Sequence, residues 1–160
     1  MVYTAFADDV VYFPSYVESS GAGKLHAVRA TDGTLLWNFA PGRGIGIAAF
    51  TAADGMVYVG LRTGSEKLYA KSAADGTTLW EFDAGKGIQV VDGVVYSATN
   101  GGMLYALNAA NGSVISCFDL GGTEFAVFGG LVLAYTDPGV LTAISLACPA
   151  QECPCAVLAL

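Results

Sequence analysis

Apolar and polar residues alternate in short runs along this chain, and the runs end at glycine, Asp-Gly or Asn-Gly. Alternation with a period of two, rich in β-branched and aromatic residues, predicts β-strands. A helical alternative fails because no segment between the glycines keeps apolar residues at i, i+3, i+4 spacing. The pattern therefore predicts an all-β fold of sixteen short strands, with Asp-Gly or Asn-Gly at hairpins that need φ > 0.

The predicted strands form a repeat. Three segments share one pattern, at 24–39, 67–82 and 103–118, and a weaker fourth copy opens at 130. The alanines that mark the same position in each copy, Ala27, Ala70, Ala106 and Ala143, are 43, 36 and 37 residues apart. A period of about 40 residues is typical of a four-stranded propeller blade. We predict one domain, 1–160, of four antiparallel blades at about 1–43, 44–85, 86–121 and 122–160.

Each blade is predicted to hold four strands in the order A, B, C, D. The A strands are expected at 2–7, 46–51, 87–91 and 123–127, and the B strands at 10–14, 56–61, 94–98 and 131–135. The C strands are expected at 24–30, 67–72, 103–108 and 140–145, and the D strands at 34–39, 77–82, 113–118 and 155–160.

Charge is scarce and negative. The 160 residues carry 7 Lys and Arg against 14 Asp and Glu, and the mean hydropathy is +0.53. No basic stripe is present to displace counterions from phosphates, so we expect no nucleic-acid binding. Charged residues make up 13% of the chain, against about a quarter in an average soluble domain. Much of the apolar surface must therefore be covered.

Neither a membrane span nor a leader is predicted. Glycines and asparagines interrupt every uncharged stretch before it supplies the roughly 20 apolar residues of a spanning helix. The first nine residues lack a basic region and meet Asp8 and Asp9 before any long apolar core, so we expect no signal peptide in this chain.

The segment 27–37 resembles the eleven-residue tryptophan-docking motif of pyrroloquinoline-quinone-type β-propellers, Ala-x-Asp-x-x-x-Gly-x-x-x-Trp. The third copy has Ser116 where the motif has Trp. The resemblance implies that the Trp of one blade packs against the backbone around the Ala and Gly of a neighbour, where small residues leave room for a large ring. The predicted docking residues are Ala27, Gly33, Trp37, Ala70, Gly76, Trp80, Ala106 and Gly112.

Ring closure follows from the same resemblance, which implies wedge-shaped blades for rings of seven or eight. Four blades then span about half a circle and leave two open flanks, an aggregation hazard. Three arrangements close them: a tight four-bladed ring, two copies of the chain in one eight-bladed ring, or a partner or further sequence that supplies the other blades. We expect a protein partner or a second copy, and thus part of a larger, eight-bladed ring.

Candidate chemistry is sparse. His26, the only histidine, occupies a strand position that Tyr69 and Tyr105 fill in other copies, so it is interpreted as a repeat position rather than a ligand. The glycine-rich segment 42–46 is interpreted as a repeat turn, since it opens no helix. Arg43 and Lys86 lie at equivalent corners and are expected on one rim, as possible contacts for an anionic ligand or partner.

Cys148, Cys153 and Cys155 lie close together in sequence, and Cys117 lies further upstream. We prefer a disulfide between Cys148 and Cys153 or Cys155, with a metal site or free thiols as alternatives. A disulfide implies an oxidising compartment. With the family resemblance, it favours an extracytoplasmic or secreted location.

These observations predict a non-catalytic propeller scaffold that binds protein, without a cofactor. The alternative is a fragment of a quinone-dependent dehydrogenase, which would use pyrroloquinoline quinone with calcium, or a small-ligand sensor. Such dehydrogenases carry a catalytic Asp, calcium ligands and often a disulfide between adjacent cysteines. No carboxylate of this chain can be assigned to those roles, and it has no Cys-Cys pair.

Overall fold

The computed structural model describes residues 4–17, 19, 21–62, 66–122, 124–136 and 140–145, and these residues contain fifteen strands and no helix. In chain order the strands are β1 (Ala5–Ala7), β2 (Val10–Val17), β3 (Ala22–Arg29), β4 (Leu35–Phe39), β5 (Ile47–Ala53), β6 (Met56–Leu61), β7 (Leu68–Ser72), β8 (Thr78–Phe82), β9 (Lys86–Val91), β10 (Val94–Ala98), β11 (Met103–Asn108), β12 (Val114–Asp119), β13 (Glu124–Phe128), β14 (Leu131–Thr136) and β15 (Val140–Ser145).

The strands form four antiparallel sheets, each a simple up-and-down meander. Blade 1 contains β1 to β4, blade 2 contains β5 to β8, blade 3 contains β9 to β12, and blade 4 contains β13 to β15. The all-β prediction is confirmed, and fifteen of the sixteen strands occupy their expected places. The sixteenth, predicted at 155–160, lies outside the described residues.

The hairpin of β2 and β3 is longer than expected. We expected β2 to end at Pro14, yet Ser15, Tyr16 and Val17 continue to pair with β3. Among the described residues, β2 pairs with β1 from Val10 to Tyr12, opposite Ala7 to Ala5.

Three apolar cores hold the four blades together, one between each pair of consecutive sheets. Tyr12, Leu25 and Trp37 of blade 1 pack with apolar residues of blade 2. Tyr58 and Leu68 begin the second core, which joins blades 2 and 3. The third joins blades 3 and 4 around Tyr96, Leu104, Phe118, Val132 and Ile144.

The first strand of each sheet lies towards the centre of the arrangement. Strand β5 contacts β1 and β9, and β13 contacts β9. Within the part of the chain that the structure describes, no apolar core joins blade 4 back to blade 1. The described residues thus form an arc of four blades with two end faces.

Across the described ranges, no helix is long and apolar enough to cross a membrane.

Candidate interaction faces

Trp37 on β4 fastens blade 1 to blade 2. Its indole Nε1 donates a hydrogen bond to the Ala73 carbonyl at 2.8 Å. The ring lies so close to Gly76 that an added Cβ there would be 2.7 Å from Cδ2 of the indole. We call this acceptor, an alanine carbonyl with a glycine three residues later in the C–D turn, the tryptophan seat.

Trp80 repeats this arrangement between blades 2 and 3. Its Nε1 donates to the Ala109 carbonyl at 2.9 Å, and a Cβ at Gly112 would again be 2.7 Å from the indole. The ring of Tyr58 contacts that of Trp80 with centroids 5.8 Å apart and is tilted by 47°. The Trp of blade 1 and the Trp of blade 2 are therefore each accepted by the seat of the blade that follows.

The alanine of the motif has a different position from the glycine. Ala27 pairs across the hairpin with Trp37 of its own blade, as Ala70 pairs with Trp80. Ala106 likewise lies opposite Ser116, which is buried in blade 3. The motif of blade 2 thus contributes both a ring, Trp80 beside Ala70, and a glycine, Gly76, that accepts the ring of the preceding blade.

Blade 1 has a seat of its own, formed by Ala30 and Gly33. Its backbone matches the two seats that hold an indole: φ is 72° at Gly33, Gly76 and Gly112 alike. The Gly33 N–H donates to the Arg29 carbonyl at 2.9 Å, as the Gly76 N–H does to the Ser72 carbonyl. Yet Gly33 is exposed, and among the described residues other than its two chain neighbours no atom lies within 4 Å of the position that its Cβ would take.

The sheet surface beside this seat is also uncovered. We call it the leading face; it carries the side chains of Phe6, Val11, Phe13, Ser15, His26 and Val28, which the register places on one side of blade 1. The counterparts of Val11 in blades 2, 3 and 4 are Val57, Val95 and Val132, and all three are 0% exposed. Val11 and Phe13 are only half-buried, and Phe6 is 65% exposed. In the other blades this side is covered by the preceding blade.

His26 lies on the leading face. Its ring stacks on Phe13 with centroids 5.2 Å apart, and its Nε2 lies 2.8 Å from Ser15 Oγ. The described residues hold no group of three or more His, Cys, Asp or Glu side chains that is suited to a metal ion. The contacts of His26 are those of a partly covered strand residue.

Blade 4 presents the opposite side of a sheet. We call it the trailing face; it carries Phe128, Leu131, Leu133, Tyr135, Leu141 and Ala143. Leu141 is 66% exposed, whereas its counterparts Leu25, Leu68 and Leu104 are 0% exposed beneath the next blade. The trailing face of blade 4 therefore matches the faces that blades 1 to 3 bury against the blade that follows them, but it is exposed.

The family model described as "Outer membrane protein assembly factor BamB" matches residues 2–115 and 64–147, which is most of the chain. The chain belongs to this family of PQQ-type repeat propellers. No curated protein matches it significantly in sequence.

Solved structures agree on the fold of this BamB-like chain. The computationally designed Ika4 protein superposes with a TM-score of 0.71 at 15% identity, covering 92% of this chain and 92% of that one. BamB from Moraxella catarrhalis gives 0.67 at 18%, covering 89% of this chain and 47% of that one. A europium-containing methanol dehydrogenase gives 0.59 at 14%, covering 76% and 26%. At these identities the likeness shows the fold alone, and the chain spans about half the length of BamB.

The two corner cations of this BamB-like chain lie in different surroundings. Arg43 is exposed between β4 and β5, whereas Lys86 opens β9 and lines a cleft of about 250 Å³ together with Glu124 and Phe125. Sequence reasoning missed Arg62, which lines a cleft of about 380 Å³ between blades 1 and 2.

Lys71 was also missed, because its strand position is apolar in the other blades of the repeat. It is 4% exposed, and its Nζ donates to Thr78 Oγ1 at 2.8 Å and lies 4.2 Å from the centre of the Phe39 ring. Burial lowers the pKa of Lys71 from its ordinary value, partly offset by Asp75. Its contacts are structural ones between blades 1 and 2.

Among the cysteines, only Cys117 on β12 is described. It is 2% exposed, and its sulfur is not a free thiol. Cys148, Cys153 and Cys155, between which we expected a disulfide, lie outside the described residues.

Proposed function

We propose that this protein is a non-catalytic propeller scaffold whose two end faces bind further blades, supplied by a second copy or by a protein partner. One observation carries the proposal: positions that are fully buried at the internal blade junctions are uncovered at both ends of the arc. Leu141 is 66% exposed, whereas Leu104 at the same position of blade 3 is 0% exposed.

The two end faces are complementary halves of one type of junction. The leading face has the positions with which blade 2 receives blade 1, and the trailing face has those with which blade 3 packs on blade 4. A trailing face therefore fits a leading face in the head-to-tail sense. Because blades that pack this way rotate about a common centre, repeated junctions lead towards ring closure.

Exposed apolar area supports the same proposal. Phe6, Phe128 and Leu141 are each at least 65% exposed, and Phe128 reaches 80%. Contiguous apolar surface of this kind marks interaction sites in folded proteins. Few charges are available on this chain to keep such faces apart.

Mass in solution tests the proposal. We expect light scattering and native mass spectrometry of the purified chain to give an integer multiple of 16.4 kDa at micromolar concentration. Leu141→Asp should shift the protein towards the monomer, whereas Leu79→Asp, at a residue that is 52% exposed on internal blade 2, should not. A monomer at all concentrations would exclude the second copy; slow amide exchange of β2 and β14 in that monomer would then overturn the proposal and favour a four-bladed ring.

We further propose that Cys117 forms a disulfide with one of Cys148, Cys153 and Cys155. The support is that the Cys117 sulfur is bonded rather than free, and that the chain has no other cysteines. Such a bond would tie the C-terminal segment to the edge strand of blade 3.

A further inference from the structure

A cleft of about 260 Å³ lies between blades 1 and 2, on the rim formed by the A–B and C–D turns. It is lined by Asp8, Val10 and Tyr12 of blade 1 and by Gly55, Ala73 and Ala74 of blade 2. We propose that this cleft binds a small aliphatic amine whose uncharged end carries a hydrogen-bond acceptor. Because the cleft lies inside the arc, the inference does not depend on the two end faces.

The floor of the cleft holds a hydrogen-bond donor without an acceptor. Tyr12 is 0% exposed, and its hydroxyl meets no hydrogen-bond partner among the described residues. Burial, with a smaller contribution from Asp8, raises the pKa of Tyr12, so the hydroxyl is protonated and able to donate at neutral pH. A buried hydroxyl that lacks an acceptor is destabilising, so a ligand that supplies one gains affinity from the bond.

The junction between blades 2 and 3 shows which group serves the equivalent hydroxyl. Met56 opens the B strand of blade 2, as Val10 opens that of blade 1. The Tyr58 hydroxyl donates to the Met56 sulfur at 3.6 Å and lies 3.5 Å from the Ala109 carbonyl. Valine is two atoms shorter than methionine and has no acceptor, so blade 1 lacks the group that Tyr58 uses. An aliphatic chain with a thioether is therefore a ligand that this chain itself exemplifies.

Charge selects among ligands of this shape. Apolar side chains of both blades form most of the walls, which suits an aliphatic chain. The exposed carboxylate of Asp8 also lines the cleft, and Asp54 precedes Gly55 in the turn on the other side. Carboxylates attract a cation and repel an anion. A ligand with its amine towards Asp8 and its acceptor towards Tyr12 matches both groups.

The probe is L-methioninamide, which has a primary ammonium group and a thioether. The matched ligand is L-norleucinamide, in which a methylene replaces the sulfur. Amide chemical shifts of Val10, Gly55 and Ala73, followed by NMR during titration, report binding at the cleft. We expect saturable shifts with a Kd in about the millimolar range, as is usual for ligands of this size.

Tyr12→Phe tests the hydroxyl, because it keeps the ring and removes the donor. The preference for methioninamide over norleucinamide should be at least about twofold larger in the unmodified protein than in this variant. An unchanged preference would show that Tyr12 does not recognise the acceptor, and the inference would be wrong. Asp8→Asn should weaken binding of methioninamide but not of the uncharged N-acetylmethioninamide.

Exchanging the residues of the two blades tests the cleft itself. Val10→Met gives blade 1 the side chain that blade 2 already carries, so it should fill the cleft and abolish the shifts. Met56→Val should open an equivalent cleft beside Tyr58, so that the amides of Gly93 and Ala109 also shift on titration.

Two results would overturn the inference. One is that no shift in the unmodified protein is saturable, which would mean that the cleft holds solvent only. The other is that the shifts persist in Val10→Met, which would place the probe elsewhere. Neither result affects the proposed function, which is tested by the mass in solution.

Discussion

The indole of Trp37 lies directly over Gly76 of the next blade, so close that no side chain fits between them. The contact joins a residue of one blade to a turn of another across 39 positions of sequence. Trp80 and Gly112 repeat it, so a tryptophan over a glycine joins blade 1 to blade 2 and blade 2 to blade 3.

Gly76→Ala tests this contact. The new Cβ would be 2.7 Å from the indole, and alanine at φ 72° is also strained. Backbone strain costs about 1–2 kcal/mol, and overpacking adds about 1–3 kcal/mol to the loss in free energy of unfolding. Gly33→Ala is the control, since it has the same φ and an open surface, and it should lose only the strain part. Equal losses in denaturant titrations of the two variants would contradict the assignment.

Trp80→Ala removes the ring that joins blades 2 and 3. We expect a loss of about 3–5 kcal/mol in the free energy of unfolding, measured by denaturant titration. Trp80→Phe retains an aromatic ring but loses the hydrogen bond to the Ala109 carbonyl, so its loss should be smaller. A change well below 1 kcal/mol in the alanine variant would show that the docking contact is not stabilising.

How well the sequence predicts a contact depends on how far apart in the chain the two residues lie. Strands and hairpins follow from local alternation and from glycines such as Gly33, where the C–D turn needs positive φ. The docking residues follow from the repeat, because Gly and Trp recur at one spacing within the motif, at Gly33 and Trp37 and again at Gly76 and Trp80. The position of Ala27 opposite Trp37 of its own blade depends on hairpin register, which the repeat alone does not determine.

Contacts that occur once in the chain were beyond sequence reasoning. Lys71 has no charged counterpart in the repeat, so alternation predicts an apolar residue where a buried amine bonds Thr78. Gln89 bonds Val127 on β13 of the next blade. How two blades face each other depends on packing over their whole surfaces, which leaves no local signal in the sequence.

Gln89 clamps blade 3 to blade 4. Its Nε2 donates to the Val127 carbonyl at 2.9 Å, and its Oε1 accepts from the Val127 N–H at 2.6 Å. Gln89→Met keeps the side-chain length but loses both bonds, so the free energy of unfolding should fall by about 1–3 kcal/mol. The Val127 amide should exchange faster with deuterium, while amides of blade 1 should not.

Gln89→Glu provides a control for the same clamp. An ionised carboxylate keeps the acceptor for the Val127 N–H but has no donor for the Val127 carbonyl. Protonation restores a donor, so this variant should regain stability relative to Gln89→Met when the solution is acidified. The same difference between the two variants at every pH would show that the side-chain amide does not act through Val127.

The proposed disulfide at Cys117 predicts a difference between reduced and oxidised protein. Alkylation of the denatured, unreduced chain should leave Cys117 unlabelled, and peptide mapping should join it to a peptide with Cys148, Cys153 or Cys155. Closing a loop of roughly 30–40 residues stabilises a fold by about 3–4 kcal/mol, so Cys117→Val should lower the free energy of unfolding by a similar amount. Labelled Cys117 beside an unlabelled Cys148 would contradict the pairing.

Tyr58 makes stability depend on alkaline pH. Burial, with a smaller contribution from Asp54, raises the pKa of Tyr58 from 10.0 to about 12. Below pH 10 the phenol is neutral in both states and contributes no pH dependence. Between about pH 10 and 12 the unfolded chain releases the proton and the folded chain retains it, so the free energy of unfolding falls as pH rises, by about 1.4 kcal/mol per pH unit.

Tyr58→Phe should remove the part of this pH dependence of the free energy of unfolding that comes from the Tyr58 hydroxyl. Tyr12 and Tyr96 also have raised pKa values, chiefly from burial, so part of the alkaline slope should remain in the variant. Comparing the two proteins first at pH 7 separates any packing loss from the ionisation effect. Denaturant titrations at intervals between pH 9 and 12 then give the slope, and equal slopes with and without Tyr58 would show that its hydroxyl ionises as readily in the folded protein as in the unfolded chain.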